Sequence, residues 1–404
     1  MKFFSTDGIR GKVEEILESK IISKIASFLS TKTSKVIIGY DTRISSLILL
    51  DELTDKLNSL NVDVYNVGVC PTPLIPYYLK VKDFNYGLMI TASHNPFFEN
   101  GIKLFNKQGK ITKLEANEIL TSKVISKKTN KGGLFSINSD EYINYINSTI
   151  DFRNDKRIVV DASNGSTSSF IKKLSLDRID VINDKPNGVN INNNCGSLHS
   201  ERLQKYVKEN NYDYGFSFDG DGDRIILVDQ NRIYDGDDLL YFLAKELDLK
   251  EVVHTKLTNR GIISKLNKEG VSTFEVNVGD SNVLSLMKEK RIKLGVEPSG
   301  HLIFEENMTS DSLYSFIKIL KFINKKNIYT CDKYHSYSIN YPLMNNSKKT
   351  KIQSLLDSNL SKDDYYLLRE SGTEDLVRLN VQIKEHSLFL KVIKLLEREN
   401  LCAE

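Results

Sequence analysis

Three times along this chain a short β-branched run empties into a polar, glycine-punctuated loop, and each time an amphipathic stretch follows. The first cycle contains Lys35-Val-Ile-Ile-Gly39, an alternating segment over 62–67 and Tyr86-Gly-Leu-Met-Ile90. Helical patterns surround them, with Ile21, Ile22, Ile25, Ala26 and Leu29 on one face, a second over 47–60, and a third after Cys70-Pro-Thr-Pro73. Lys156-Arg-Ile-Val-Val-Asp161, a run over 180–183 and Tyr212-Asp-Tyr-Gly-Phe-Ser-Phe218 make the second cycle, with helices expected from Thr167 and near Leu203. Glu251-Val-Val-His-Thr255, a run over 273–278 and Lys293-Leu-Gly-Val296 make the third. Strand alternating with helix predicts α/β layers with parallel pairing. From about Tyr329 the texture changes to alternating strands over 334–341 and 376–383 with a run at 365–368, which predicts a small antiparallel α+β module. The expected fold class is therefore α/β: three related α/β domains with mixed sheets plus a smaller C-terminal α+β domain around a central cleft. The expected boundaries are 1–140, 150–246, 247–328 and 329–404.

Length and composition narrow the function classes. A chain of 404 residues exceeds one ordinary core. Its net charge of +3 argues against a dedicated nucleic-acid surface. No run of 18 apolar residues exists, so no membrane span is expected. The 4 cysteines are scattered without paired spacing, which speaks against disulfides and thiolate metal sites and fits a reducing, cytoplasmic setting.

Four loops carry the chemistry. After Ile90 come Thr91-Ala-Ser-His-Asn-Pro96; the proline biases Asn95 away from helix, so Ser93 is expected on a tight turn at a strand end. His94 adjoins this hydroxyl and Lys103 follows, which suits a nucleophile that receives an anion, although a capping serine and a satisfied turn histidine have the same local pattern. Phe218-Asp-Gly-Asp-Gly-Asp-Arg224 places carboxylates at alternate positions, with glycines that let them converge on one hard cation. An EF-hand loop would want glycine and a bidentate glutamate where Arg224 and Gln230 stand, so Asp219, Asp221 and Asp223 point instead to Mg²⁺ beside a phosphate, with Arg224 sharing the anionic load. Gly295-Val-Glu-Pro-Ser-Gly-His301 offers Glu297, Ser299 and His301, the side chains of either polyol recognition or a solvated loop. Arg369-Glu-Ser-Gly-Thr-Glu-Asp-Leu-Val-Arg378 offers Arg369, Ser371, Gly372, Thr373 and Arg378, the parts of either a phosphate cradle or a hairpin turn. Arg10, between glycines, adds a further cation to an anion site, while Asp41-Thr-Arg43 is read as a local structural salt link.

Together the four loops resemble the α-D-phosphohexomutase superfamily over nearly the whole chain. Thr-Ala-Ser93-His-Asn-Pro is similar to its phosphoserine loop, the aspartate triad to its metal loop, Glu297-Pro-Ser-Gly-His to its sugar loop, and Arg369-Glu-Ser-Gly-Thr to its phosphate loop. Within it, Phe4-Ser-Thr-Asp-Gly-Ile-Arg-Gly11, Asn194-Cys-Gly-Ser-Leu-His-Ser-Glu201 and Val278-Gly-Asp280 are most similar to the bacterial phosphoglucosamine mutases. Ser281, Ser200, Asp375 and Val296 depart from the residues usual there. The resemblance implies transfer of phosphate between positions 6 and 1 of glucosamine, through a phosphoserine at Ser93 and a hexosamine 1,6-bisphosphate. It implies one Mg²⁺ held by Ser93, Asp219, Asp221 and Asp223, with His94, Lys103, Arg10 and Arg224 in catalytic roles. A small sugar phosphate is the expected partner, with neither nucleic acid nor membrane, in a monomer or homodimer. The alternatives are a phosphomannomutase/phosphoglucomutase acting on neutral hexose phosphates, a non-catalytic sugar-phosphate-binding protein, and a Mg²⁺-dependent phosphatase.

Overall fold

The computed structural model describes residues 4–5, 8–125, 131–307, 309–371 and 376–398. They form two compact units, Met1–Gly236 with Ser299–Ile328, and Asp237–Pro298 with Tyr329–Glu404.

The first unit holds an eight-stranded and a five-stranded sheet. In the larger, Lys35–Tyr40 lies between Asp63–Val69 and Tyr86–Ile90, all parallel. Glu99–Asn106 turns back antiparallel along Tyr86–Ile90 and pairs in turn with Gly8–Lys12. Val36, Ile37 and Ile38 are all buried, as continuous apolar strands must be when helices cover both faces. Helices Ile21–Lys32 and Ser45–Ser59 supply much of that cover. In the smaller sheet Ile158–Asp161 pairs in parallel with Ile179–Ile182 and Tyr214–Phe218, and Ile225–Val228 closes antiparallel on the last. Phe316, on helix Ser312–Ile323, packs edge-on against Phe216 at 4.7 Å between ring centres.

One expectation fails here. No α-helix follows Thr167; the segment forms turns and a single 3₁₀ turn, Ile171–Lys173. Ser163 and Asn164 are left-handed, with φ of 52° and 49°, and the Ser168 hydroxyl donates to the Gly165 carbonyl at 2.7 Å. Such side chains satisfy backbone locally and compete with helix, which a hydrophobicity pattern does not register.

In the second unit Glu251–Thr255 runs parallel between Ser272–Val276 and Leu294–Val296. Helices Arg260–Lys268 and Asp280–Lys290 accompany them. A three-stranded antiparallel sheet has Leu376–Ile383 at its centre, between His335–Pro342 and Tyr365–Glu370. Helices Asn346–Asn359 and His386–Arg398 bury Ile352, Leu356, Val392 and Leu396 in the same core as Leu379 and Val381.

Candidate active site

Strand Tyr86–Ile90 delivers Ser93 to a tight turn. Ser93 has φ of +55°, a left-handed conformation that a non-glycine residue holds only when its surroundings impose it. Its N–H donates to Thr91 Oγ1 at 2.8 Å, and Asn95 N–H closes the turn onto the Ala92 carbonyl at 3.1 Å. Arg43 completes the constraint. Its Nη2 donates to the carbonyls of Ser93 and Asn95, both at 2.9 Å, and its Nη1 to that of Pro96 at 2.9 Å. The expected Asp41–Arg43 salt link is present at 3.0 Å and fully buried, but its work is to aim a guanidinium at three carbonyls of the serine turn.

The aspartate loop that leaves strand Tyr214–Phe218 meets that turn. The Ser93 hydroxyl donates to Asp219 Oδ2 at 2.6 Å. Asp219 Oδ1 accepts the N–H groups of Asp223 and Arg224, each at 3.1 Å. Gly222 has φ of +70°, and a Cβ on Gly220 would lie 2.7 Å from the Ser93 carbonyl oxygen, so both glycines are needed for this approach. Asp221 accepts from the Thr72 hydroxyl, and Lys103 Nζ donates to Asp221 at 2.5 Å and Asp223 at 2.6 Å.

The three carboxylates are buried, and one ligand oxygen from each lies within 4.8 Å of the others. Asp221 Oδ1 has no hydrogen-bond partner among the described residues. Convergent, dry carboxylate oxygens with an unmatched acceptor fit a hard divalent cation, and among the described residues this is the group of three whose ligand atoms lie close enough together to hold one. Burial, then Asp223 and Asp221, pushes the Asp219 carboxyl up to about 8. Burial also opposes charge on Asp223, yet Lys103 and His301 outweigh it and hold this carboxyl well below the usual range. Lys103 is kept above the ordinary lysine value, because Asp221 and Asp223 overcome its desolvation. It is thus a fixed cation in this state, not a base.

His94 is its opposite. Its Nδ1 lies 3.3 Å from Ser93 Oγ, and burial, then Arg224 and Arg10, drops its pKa to about 2, leaving a neutral imidazole beside the hydroxyl. Arg10, on the strand that pairs with Glu99–Asn106, has its Nε buried without a partner among the described residues. Arg224 Nε stands 4.0 Å from Asp219 Oδ2 and 3.4 Å from His301 Nε2. His301 Nε2 is 3.3 Å from Asp223 Oδ1, and its Nδ1 is 2.9 Å from the Ser299 hydroxyl. Ser93, His94, Lys103, Arg10, Arg224, the triad, Ser299 and His301 therefore belong to the first unit.

The remaining predicted residues belong to the second. Glu297 is buried and Oε1 accepts Gly279 N–H at 2.9 Å. Arg369 and Arg378 face each other across the antiparallel ladder. Burial and then Arg378 lower the Arg369 pKa, with Glu297 acting against them, so two like charges share one end of the sheet. Ser371 N–H donates to the Leu376 carbonyl at 2.8 Å. Gly372 and Thr373 lie outside the described residues. Of the departures, Val296 is buried within its strand and Ser281 sits in the first turn of helix Asp280–Lys290. Sequence reading missed Thr72, Asn192 and the reach of Arg43; an Asp-x-Arg spacing signals the last only as a salt link.

Models of the phosphoglucomutase/phosphomannomutase α/β/α domains I, II and III match residues 1–131, 140–232 and 235–337. The chain is 35% identical to a phosphoglucosamine mutase of Prochlorococcus marinus (strain AS9601), over 95% of this chain and 94% of that protein. It is 36% identical to a phosphoglucosamine mutase of Buchnera aphidicola subsp. Baizongia pistaciae, over 97% and 96%. A crystal structure of a phosphoglucomutase/phosphomannomutase family protein from Burkholderia thailandensis shares the fold, with a TM-score of 0.82, 21% identity and coverage of 98% and 96%. Three α/β domains with mixed sheets and a further small α+β domain, a serine set on an aspartate triad, and relatives matched end to end lead to one conclusion: the chain belongs to the phosphoglucomutase/phosphomannomutase family of α-D-phosphohexomutases, enzymes of the isomerase class.

Proposed function

We propose that this chain is a phosphoglucosamine mutase, interconverting glucosamine 6-phosphate and glucosamine 1-phosphate through a phosphoserine at Ser93 and a 1,6-bisphosphate. The observation that carries the reading is the Ser93 hydroxyl, held in a left-handed turn and donating at 2.6 Å to a buried aspartate triad. The identity with proteins of that name supports the amino-sugar substrate. In the first half-reaction the 1-hydroxyl oxygen of the sugar bonds to phosphorus as the bond from phosphorus to Ser93 Oγ breaks. In the second, Ser93 Oγ bonds to the 6-phosphorus of the bisphosphate as the bond from that phosphorus to the sugar's 6-oxygen breaks, which regenerates the phosphoserine. Across the first half-reaction the proton of the 1-hydroxyl replaces phosphate on Ser93 Oγ, and in the second it is returned to the sugar's 6-oxygen; His94, a neutral imidazole 3.3 Å from Oγ, is placed to hydrogen-bond that oxygen in both. Lys103 and Arg224 offset charge on the transferring group, where electrostatics dominate the barrier. Asp219, Asp221, Asp223 and an oxygen of the phosphoserine would hold one Mg²⁺, which when bound neutralises phosphoryl charge. Arg10 joins the anion site, Glu297, Ser299 and His301 bind sugar hydroxyls, and Arg369, Ser371, Gly372, Thr373 and Arg378 bind the phosphate that is not transferring. The four-domain division at 1–140, 150–246, 247–328 and 329–404, a cytoplasmic location and a monomeric or homodimeric state are part of the same proposal. No helix among the described residues is long and apolar enough to cross a membrane.

The test follows the isomer formed from glucosamine, glucose and mannose 6-phosphates by ³¹P NMR, with a catalytic amount of the matching bisphosphate. Wild type should favour glucosamine 6-phosphate. Ser93→Ala should retain its circular dichroism, incorporate no phosphate and lose turnover by several orders of magnitude. A fully active Ser93→Ala enzyme sinks the covalent mechanism, and a preference for glucose or mannose sinks the substrate assignment.

A further inference from the structure

The polar loop between Ile182 and helix Ser200–Glu209 contains one side chain that reaches the serine turn. Asn192 is left-handed at φ of +57°, and its N–H is fastened to the carbonyl of Ser163, two residues past strand Ile158–Asp161, at 2.9 Å. Its Nδ2 donates to the carbonyls of Ser93 at 2.8 Å and Asn95 at 3.1 Å. The same nitrogen would stand 2.9 Å from a Cβ on Gly220, the residue that follows Asp219. One amide therefore sits where the serine turn and the metal loop meet, touching the backbone of the first and flanking the second.

Arg43 donates to the same two carbonyls, and also to that of Pro96, from within the larger sheet's own loops. The turn is thus already held in shape from its own side. What Asn192 adds is a tie from the side of the metal loop. We propose that Asn192 is a positioning residue for phosphoryl transfer, setting the register of Ser93 Oγ against the aspartate triad without touching the reacting atoms. This inference rests on the phosphoserine reading and deepens it. Removing the tie leaves the turn folded on Arg43 but free to drift relative to Asp219, and a displacement of about 1 Å in an in-line transfer costs on the order of a hundredfold. Substrate contacts stay where they were, so the loss falls on kcat.

Two variants test it. Asn192→Gly deletes the amide at a backbone angle glycine adopts freely, and Asn192→Asp keeps the size but turns a donor toward two carbonyl oxygens into a repelling acceptor. The measurement is kcat per phosphorylated site, with phosphate on Ser93 counted by intact mass spectrometry, alongside KM for glucosamine 6-phosphate and the thermal midpoint. Both variants should show kcat per phosphorylated site down about ten- to hundredfold, with KM within about twofold. A merely structural role would lower the midpoint or the phosphorylated fraction and leave kcat per phosphorylated site at the wild-type value, and that result overturns the proposal. Should the aspartate variant not fold, the glycine variant carries the same comparison. If wild type itself turns over with no phosphate on Ser93, it is the proposed function that falls, and this inference with it.

Discussion

Lys103 is fully buried between two carboxylates, and its replacement by methionine, which keeps the stem and removes the charge, has a calculable cost. The ammonium lies 2.5 Å from Asp221 and 2.6 Å from Asp223. At an effective dielectric constant of about 20, each contact carries roughly 6–7 kcal/mol of attraction. Against the pair of them stands the penalty for drying an ammonium and two carboxylates, several kcal/mol per ion. The triad can also bind a proton, and Asp219 is already pushed up to about 8. What survives is the usual cost of breaking a buried ion pair from one side, about 3–5 kcal/mol. At about 2–4 °C per kcal/mol for a unit of this size, the midpoint of the first unit should fall by roughly 6–20 °C in EDTA. Scanning calorimetry of both proteins, in EDTA and in saturating Mg²⁺, checks this. Mg²⁺ should raise the variant's midpoint more than the wild type's, because the ion meets carboxylates that no ammonium is neutralising. An unchanged midpoint in EDTA would show that Lys103 does not stabilise the triad. A variant indifferent to Mg²⁺ would show that the triad is not a metal site.

Two further substitutions probe the same unit from other sides. Gly220→Ala places a Cβ 2.7 Å from the Ser93 carbonyl oxygen and Ile191 Cδ1, so it should separate the serine turn from the triad and abolish turnover, read in the same ³¹P assay. Asp311, which caps helix Ser312–Ile323 through Tyr314 N–H and accepts from Tyr142 OH, both at 3.0 Å, is pushed up to about 6 by burial. A carboxyl raised in the folded state binds its proton more tightly there than when unfolded, so its stabilising effect is complete below pH 4 and is lost as pH rises to about 6. Asp311→Asn keeps the cap and has no charge to bury. It should stabilise the protein by about 1–3 kcal/mol at pH 7 and by almost nothing at pH 4, measured by urea denaturation at both.

Much of this site can be read from spacing alone. Tyr86–Ile90 and Tyr214–Phe218 are legible as strands because an apolar run bounded by glycine and polar residues has few other solutions, and the residues past each strand end then form a loop with exposed chemistry. Asp219, Asp221 and Asp223 are legible as a triad for the same local reason. The segment after Thr167 is not, because Ser and Asn bond to their own backbone and leave no periodic trace.

By itself, then, the sequence determined the α/β rhythm, the loops at its strand ends and the chemical groups available there, all consequences of neighbours within a few residues. Only the tertiary structure decided what each group does. Ser93 and Asn192 are 99 positions apart, and Lys103 and Asp221 118; no local pattern encodes such pairs. The left-handed angle at Ser93 is held by a turn whose carbonyls are gathered by Arg43, 50 positions away. Lys103 becomes a fixed cation and His94 a neutral imidazole because burial and the charges packed around each act with opposite outcome on the two. Chemistry of that kind belongs to the environment of a side chain, and the environment exists only once distant loops have met.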